Sequence, residues 1–233
     1  MIVPIIIMSV GALFLSWFLY EKIKAYSIKE TIIKGCTSLL FISLAIYGLI
    51  KTGLKIFPIF ALIGLCLGLI GDVALDLKYV YKEKDYEFTI TGFVAFALGH
   101  VFYITGMFLE FYKNQGILFI IIPFVFGILG SVLNLFMAKP LKLDLGKYKL
   151  VVFIYAALLF SFAGSSFSVW MMMGFANTGL LLLFIASLLF AISDLILSNT
   201  YFGVDHEKPF DIISNSVTYY AAQFIIALAI LFI

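Results

Sequence analysis

The amino-acid sequence predicts an all-α fold, a polytopic transmembrane bundle of eight helices that forms one domain over residues 1–233. Composition is the first observation, because 64% of the residues are hydrophobic and 12% are charged, whereas soluble domains are about 25% charged. The mean hydropathy of +1.17 is the second. The third is that long apolar runs recur along the whole chain, and the short breaks between them hold most of the lysines.

This composition excludes an ordinary soluble domain, a disordered chain and a nucleic-acid-binding protein. The net charge of +2 is too small to attract a polyanion. Cys36 and Cys66 lie in apolar runs and form no C-x-x-C pair, so we expect buried thiols rather than a disulfide or a thiolate metal site. We therefore expect neither a metal nor another cofactor.

The apolar runs define the helices in order. A bilayer core about 30 Å thick requires about 20 apolar residues per helix. The first run lacks a basic n-region and a small-residue cleavage site, so we expect a retained helix over Met1–Tyr20 rather than a signal peptide. The predicted helices cover residues 2–20, 31–50, 56–75, 88–111, 117–137, 149–171, 176–200 and 211–233.

The lysines in the breaks predict the orientation of the chain, because cytoplasmic loops carry an excess of basic residues. Eleven lysines lie in the breaks after helices 1, 3, 5 and 7, and three lie in the breaks after helices 2, 4 and 6. We therefore expect both termini outside, in the plasma membrane of a prokaryote. The eleven are Lys22, Lys24, Lys29, Lys78, Lys82, Lys84, Lys139, Lys142, Lys147, Lys149 and Lys208, and the three are Lys51, Lys55 and Lys113.

Four ionisable residues lie inside the predicted helices, namely Lys34, Asp72, His100 and Asp194. With the predicted orientation, Lys34, Asp72 and Asp194 fall in the cytoplasmic half of the membrane. His100 lies about 18 Å into helix 4, near the midplane. An unpaired carboxylate in hydrocarbon costs at least about 2.5–3.5 kcal/mol. Asp72 and Asp194 are therefore the strongest candidates for a functional role.

Uncharged polar residues lie at a similar depth, so six helices contribute polar groups to one level of the bundle. This arrangement predicts a water-accessible pocket that opens toward the cytoplasm. The structural alternatives stay open, because Lys34 would also reach the headgroups from a helix end and a lone histidine in a bundle is often structural. Asp76, at the membrane edge, is interpreted as a solvated residue. The uncharged polar residues are Tyr103, Tyr155, Ser187, Ser198, Ser216, Tyr219, Tyr220 and Gln223.

Several of these residues lie in strings that resemble the sequence signature of the YhhN-like lysoplasmalogenases, a family of integral membrane proteins. Lys34 is similar to a lysine that members carry in the second helix, although Gly35 follows it where proline is common. The order and spacing of the strings extend the resemblance over helices 2 to 8. The strings are Gly71-Asp72, Gly92-Phe93-Val94-Ala95-Phe96, Gly99-His100-Val101-Phe102-Tyr103, Ser193-Asp194 and Thr218-Tyr219-Tyr220-Ala221-Ala222-Gln223.

The resemblance implies a hydrolase that cleaves the vinyl ether bond of lysoplasmalogens to a fatty aldehyde and glycerophosphoethanolamine or glycerophosphocholine. Such chemistry needs a protonated carboxylic acid that donates its proton to the alkene carbon, which creates an oxocarbenium ion. It also needs a carboxylate that stabilises this ion or activates water. We expect Asp72 and Asp194 to form this catalytic pair and a lysophospholipid to enter from the lipid bilayer.

The remaining polar residues are candidates for substrate binding. Tyr155, Tyr219 and Tyr220 would hydrogen-bond the carboxyl groups or position the water. Lys34 and His100 would bind the lipid phosphate or glycerol, or influence an aspartate by charge. The complete set of substrate-binding candidates is Lys34, His100, Tyr103, Tyr155, Ser193, Tyr219, Tyr220 and Gln223.

A transporter or receptor that binds a proton or a cation through buried aspartates is the main alternative. We see no internal repeat, and the polar residues gather on one side, which favours an enzyme. A zinc-dependent hydrolase needs several ligands, but the histidines are His100 and His206, the latter in a loop between Asp205 and Glu207. No G-x-S-x-G elbow indicates a serine hydrolase. A one-sided cavity would favour the enzyme and a two-sided tunnel would favour transport.

Overall fold

Long helices make up the fold in a computed structural model that describes residues 2–112, 116–203 and 208–233. All eight helices in these ranges are long and apolar enough to span a membrane, which confirms the predicted fold class. Lys113 and His206 lie outside the described residues. The helices are α1 Ile2–Lys24, α2 Ile28–Thr52, α3 Ile56–Val80, α4 Asp85–Phe111, α5 Leu118–Ala138, α6 Lys149–Met172, α7 Thr178–Phe202 and α8 Pro209–Ala229.

Several helices are longer than predicted at the breaks that are rich in lysine. α1 extends to Lys24 rather than residue 20, and α3 extends to Val80 rather than residue 75. Charged residues continue these helices because lysines in a last turn interact favourably with the helix dipole and because some of them are paired across helices. Lys22 and Asp76, for example, form an ion pair of 2.6 Å between α1 and α3.

Six helices form a closed ring, in which α2 packs on α3, α3 on α4, α4 on α6, α6 on α7, α7 on α8, and α8 on α2. Outside this ring, α1 packs against α2 and α8, and α5 packs against α6. Fully buried side chains such as Phe41, Leu65, Phe162 and Leu183 fill the ring. The polar residues of the predicted site therefore face an interior that apolar side chains largely fill.

Small residues allow α3 and α4 to approach closely. A Cβ atom on Gly99 would lie 3.2 Å from the backbone carbonyl oxygen of Gly64, and one on Gly71 would lie 2.6 Å from the Phe96 ring. Such close approach strengthens the van der Waals packing between the two helices. This packing stabilises helix pairs in a membrane, because hydrophobic burial contributes little to their association there. The glycines of two signature strings therefore have a packing role, and each directly precedes a buried ionisable residue.

Candidate active site

Asp72 is a buried carboxyl group on α3, about two turns before the end of the helix. Its Oδ2 accepts hydrogen bonds from Ser38 Oγ at 2.6 Å and from Tyr219 OH at 2.9 Å. Lys34 Nζ lies 3.8 Å from Asp72 Oδ1. Hydroxyl donors on α2 and α8 and a cation on α2 thus surround the carboxyl group, and all three stabilise its ionised form.

A hydrogen-bond chain continues from Asp72 across α8 to α4. Gln223 Nε2 donates to the hydroxyl oxygen of Tyr219 at 2.8 Å, and the Tyr103 hydroxyl group donates to Gln223 Oε1 at 3.5 Å. Tyr103 and Gln223 are each 1% exposed. These two side chains therefore orient Tyr219, and Tyr219 in turn holds the carboxyl group of Asp72.

Asp194 lies on α7, also about two turns before the end of its helix. Tyr155 on α6 donates a hydrogen bond to Asp194 Oδ2. Within the described ranges, no lysine lies at ion-pair distance from Asp194, whereas Asp72 has Lys34. The two aspartates therefore lie at similar depth in different electrostatic surroundings.

One pocket is lined by both Asp72 and Asp194. A second pocket also has Asp194 in its lining, together with apolar side chains such as Phe93 and Leu159. A polar pocket therefore adjoins a largely apolar one at Asp194. Besides Asp194, the residues that line both pockets are Leu75, Phe96, Leu197 and Tyr201.

Asp76 is buried, and the expectation of a solvated residue was wrong. It is 1% exposed, and its Oδ1 lies 2.6 Å from Lys22 Nζ and 3.0 Å from Lys34 Nζ. Lys22 Nζ also lies 3.3 Å from Oε1 of Glu30, which is 0% exposed. The ends of α1 and α3 and the start of α2 bring these charges together. Lys34 is thus paired with Asp76, and its side chain is 12% exposed.

His100 is enclosed by aromatic rings. Its ring centroid lies 4.9 Å from that of Phe190 and 5.5 Å from that of Tyr155. Neither imidazole nitrogen donates to or accepts from another described side chain. His100 is absent from the lining of both pockets, so its position agrees with the structural alternative considered for a lone histidine.

Most of the predicted site residues meet at the two pockets. His100, Tyr103 and Gln223 do not line either one. Ser193 also joins two helices, because Asn215 Nδ2 donates to its carbonyl oxygen at 2.8 Å and to its Oγ at 2.9 Å. Asp72, Asp194, Lys34, Ser193, Tyr219 and Tyr220 line the polar pocket, and Tyr155 and Asp194 line the apolar one.

Sequence reasoning missed Ser38, Glu30 and the pairing of Lys22. Ser38 lies four residues after Lys34, on the same face of α2, and this spacing was a usable signal. Glu30 and Lys22 were assigned to a break, and nothing in the local sequence indicates their partners. Among the residues that the structure describes, no three His, Cys, Asp or Glu side chains are grouped as metal ligands.

The fold and these pockets define a polytopic α-helical membrane protein with carboxyl groups in an internal cavity. The YhhN family model matches residues 30–230, which is most of the chain. The protein therefore belongs to the YhhN family, as its signature strings indicated. Comparisons with curated proteins and with solved structures gave no significant match. The matched region includes both aspartates and the helices that carry their hydrogen-bond donors.

Proposed function

We propose that this protein is a lysoplasmalogenase-type hydrolase that cleaves the vinyl ether bond of a single-chain phospholipid. One observation carries the proposal, namely that Asp72 and Asp194 line one polar pocket that adjoins an apolar pocket at Asp194. A lysoplasmalogen has its reactive vinyl ether between a polar headgroup and a hydrocarbon chain, which suits that change of lining. Membership of the YhhN family is consistent with this activity.

We assign the carboxylate role to Asp72 and the acid role to Asp194. The cation of Lys34, at 3.8 Å, and the hydroxyl donors of Ser38 and Tyr219 favour an ionised Asp72. Asp194 lacks a described lysine at ion-pair distance, and its hydrogen-bond partner is the neutral phenol of Tyr155. A carboxyl group in such surroundings retains its proton until the substrate takes it.

In the proposed reaction, Asp194 transfers its proton to the alkene carbon beyond the ether oxygen, and the C=C electrons form the new C–H bond. The product is an oxocarbenium ion, which the carboxylate of Asp72 stabilises. A water molecule then adds to the carbon that bears oxygen, and Asp72 accepts its proton. The hemiacetal collapses to the fatty aldehyde and the glycerophospholipid alcohol. Proton transfer from Asp72 to Asp194 restores the starting state, and one water is consumed.

Lys34 supports this reaction by its charge rather than by direct contact with the lipid phosphate. Asp76, at 3.0 Å, already compensates much of its charge. Lys34 Nζ nevertheless lies 3.8 Å from Asp72 Oδ1, and this distance still favours the ionised form of Asp72. We therefore assign Lys34 to keeping Asp72 ionised.

Transport has weaker support, because the buried carboxyl groups and lysines gather in one half of the bundle. At the opposite end of the bundle, Phe57 at the start of α3, Leu180 at the start of α7 and Ile230 after α8 are each 0% exposed. Tightly packed apolar side chains there oppose a polar path to the second side of the membrane.

The test uses protein purified in mild detergent with an alkenyl lysophosphatidylethanolamine and its acyl-ester counterpart. We expect fatty aldehyde from the alkenyl lipid alone. Asp72→Asn and Asp194→Asn should each lower kcat by about 100-fold or more, the range for loss of a general acid or base. Asp85→Asn is the matched control, because its carboxyl group is 53% exposed and lies outside both pockets.

Thermal unfolding of each variant establishes that it is folded. Activity that survives both substitutions would contradict the mechanism. A folded wild-type protein that releases no aldehyde would contradict the proposed function itself.

A further inference from the structure

We propose that the hydrocarbon chain of the substrate enters from the membrane through a groove between α5 and α7 and lies there with its reactive end at Asp194. This inference rests on the proposed function and names the path by which the single-chain substrate of that function enters.

The groove lies between α5 and α7, on the outer side of α6. Its edge is open to the surroundings of the bundle, because Leu133, Leu141 and Leu195 are 62%, 54% and 50% exposed. An apolar lining that is open at the membrane-facing surface is suited to a hydrocarbon chain. The lining residues are Gly130, Leu133, Asn134, Met137, Leu141, Leu143, Phe160, Leu195 and Ser198.

The groove joins the apolar pocket of the candidate active site. Asn134, Phe160, Leu195 and Ser198 line both spaces. Ser198 lies four residues after Asp194, about one turn along α7, so the junction is next to the carboxyl group that we assign as the acid. The groove and the apolar pocket therefore lie side by side, and together they extend from the outer surface of the bundle to Asp194.

Helix packing accounts for the position of the groove. Small residues bring α5 tightly onto α6, since a Cβ atom on Gly127 would lie 2.0 Å from Ser161 Oγ, and one on Gly164 would lie 3.1 Å from the Pro123 backbone. α7 also packs on α6, but no comparable packing joins α5 to α7 within the described residues. α6 thus forms the floor of the groove, and α5 and α7 form its walls.

The lining on the two sides of Asp194 suits the single-chain substrate of the proposed function. The groove and the apolar pocket provide an apolar path on one side. On the other side, the pocket is lined by charged side chains, including Lys34, Asp72 and Asp76. A second hydrocarbon chain would have to displace water from these charges at a high cost in free energy. A headgroup and glycerol, in contrast, suit that polar side.

The test compares two substitutions on α5. Leu133→Trp adds bulk inside the groove but outside the two pockets of the candidate active site, whereas Leu129→Trp adds the same bulk outside the groove. Both leucines are 62% exposed. With alkenyl lysophosphatidylethanolamines of increasing chain length, we expect Leu133→Trp to lower kcat/KM about tenfold for the long chains, the loss expected from overpacking. The loss should shrink as the chain becomes too short to reach Leu133, and Leu129→Trp should follow wild type throughout. Equal chain-length profiles for the two variants would overturn the inference.

A measurement without catalysis separates this inference from the proposed function. A lysophosphatidylcholine with a photoreactive diazirine in its chain is cross-linked to the wild-type protein, and the labelled peptides are identified by mass spectrometry. We expect label in residues 130–143 and 195–198 that excess acyl lysophosphatidylethanolamine removes, and label elsewhere on the lipid-facing surface that it does not remove. Competed label without aldehyde release would support the groove and contradict the hydrolase. Aldehyde release without competed label in these segments would contradict the groove.

Discussion

At the scale of single residues, buried charges are paired with one another where α1, α2 and α3 meet. Lys34 connects them, because its Nζ lies 3.0 Å from Asp76 and 3.8 Å from Asp72. Lys22 joins the same group through Asp76 and Glu30. The charges that hold these helices together therefore also act on the carboxyl group that we assign as the ionised partner in catalysis.

Replacement of Asp76 should destabilise the protein strongly. Asp76→Asn removes the counter-ion that Lys22 and Lys34 share and leaves them with Glu30 at 3.3 Å and Asp72 at 3.8 Å. The cost is therefore at most that of a fully broken buried pair, about 3–5 kcal/mol. Glu21→Gln is the control, because the partner of Glu21, Lys29, is 61% exposed and surface pairs contribute little. Thermal unfolding in detergent measures both variants. We expect a large fall in Tm for Asp76→Asn and almost none for Glu21→Gln, and an equal fall for both would refute the argument.

At the scale of helices, the contact between α3 and α4 positions the interior side chains. Gly64 on α3 faces the ring of Tyr103, and a Cβ atom at Gly64 would lie 2.3 Å from it. Tyr103 continues through Gln223 to Tyr219 and so to Asp72. The distance between α3 and α4 therefore influences the orientation of Tyr103 and, through it, of the side chains that hydrogen-bond Asp72.

Enlarging a glycine at this contact should destabilise the fold. Gly64→Ala forces the buried Tyr103 ring to move, and overpacking of this kind costs about 1–3 kcal/mol. Gly35→Ala on α2 is the control, because its Cβ atom would lie 3.7 Å from Val73, an ordinary contact. Gly35→Ala should leave the free energy of unfolding unchanged or raise it by about 0.5–1 kcal/mol, because alanine has a higher helix propensity than glycine. Chemical unfolding in detergent compares the two, and a neutral Gly64→Ala would contradict the close approach.

At the scale of the whole molecule, the ring of six helices surrounds the pockets, and α1 and α5 lie outside it. Asp72, Asp194 and Tyr155 all lie toward the end of the bundle that contains the α1–α2 and α5–α6 connections. The lysine distribution predicts that this end faces the cytoplasm. The side of the membrane that the site faces therefore depends on the topology of the whole chain.

The orientation is tested by cysteine labelling in cells. In a background with Cys36 and Cys66 replaced by serine, Lys139→Cys places a thiol in the α5–α6 connection, and Leu54→Cys places one in the α2–α3 connection, where the residue is 83% exposed. A maleimide that does not cross membranes should label Leu54→Cys in intact cells, and Lys139→Cys only after the membrane is opened. The reverse pattern would contradict the prediction of external termini.

Much of the fold and part of the candidate site could be predicted from the sequence. The depths of Asp72 and Asp194 follow from counting residues along apolar runs, and both aspartates line one pocket in the structure. Counting residues along the apolar runs does not predict the surroundings of Asp76 and His100. Asp76 lies at the edge of a run, and its burial depends on lysines from two other helices. His100 lies deep in a run, yet rings from neighbouring helices surround it.

The sequence by itself determined the eight spans, the all-α class and the half of the bundle that contains the aspartates, because hydropathy and helix rise are local properties of the chain. Only the tertiary structure decided which polar side chains face a common pocket, because this depends on the rotation of each helix about its axis and on its neighbours. The pairing of Asp76, the packing role of the signature glycines and the groove between α5 and α7 all belong to that second group. Each arises from contacts between residues that are far apart in the chain, and a local sequence pattern does not predict such contacts.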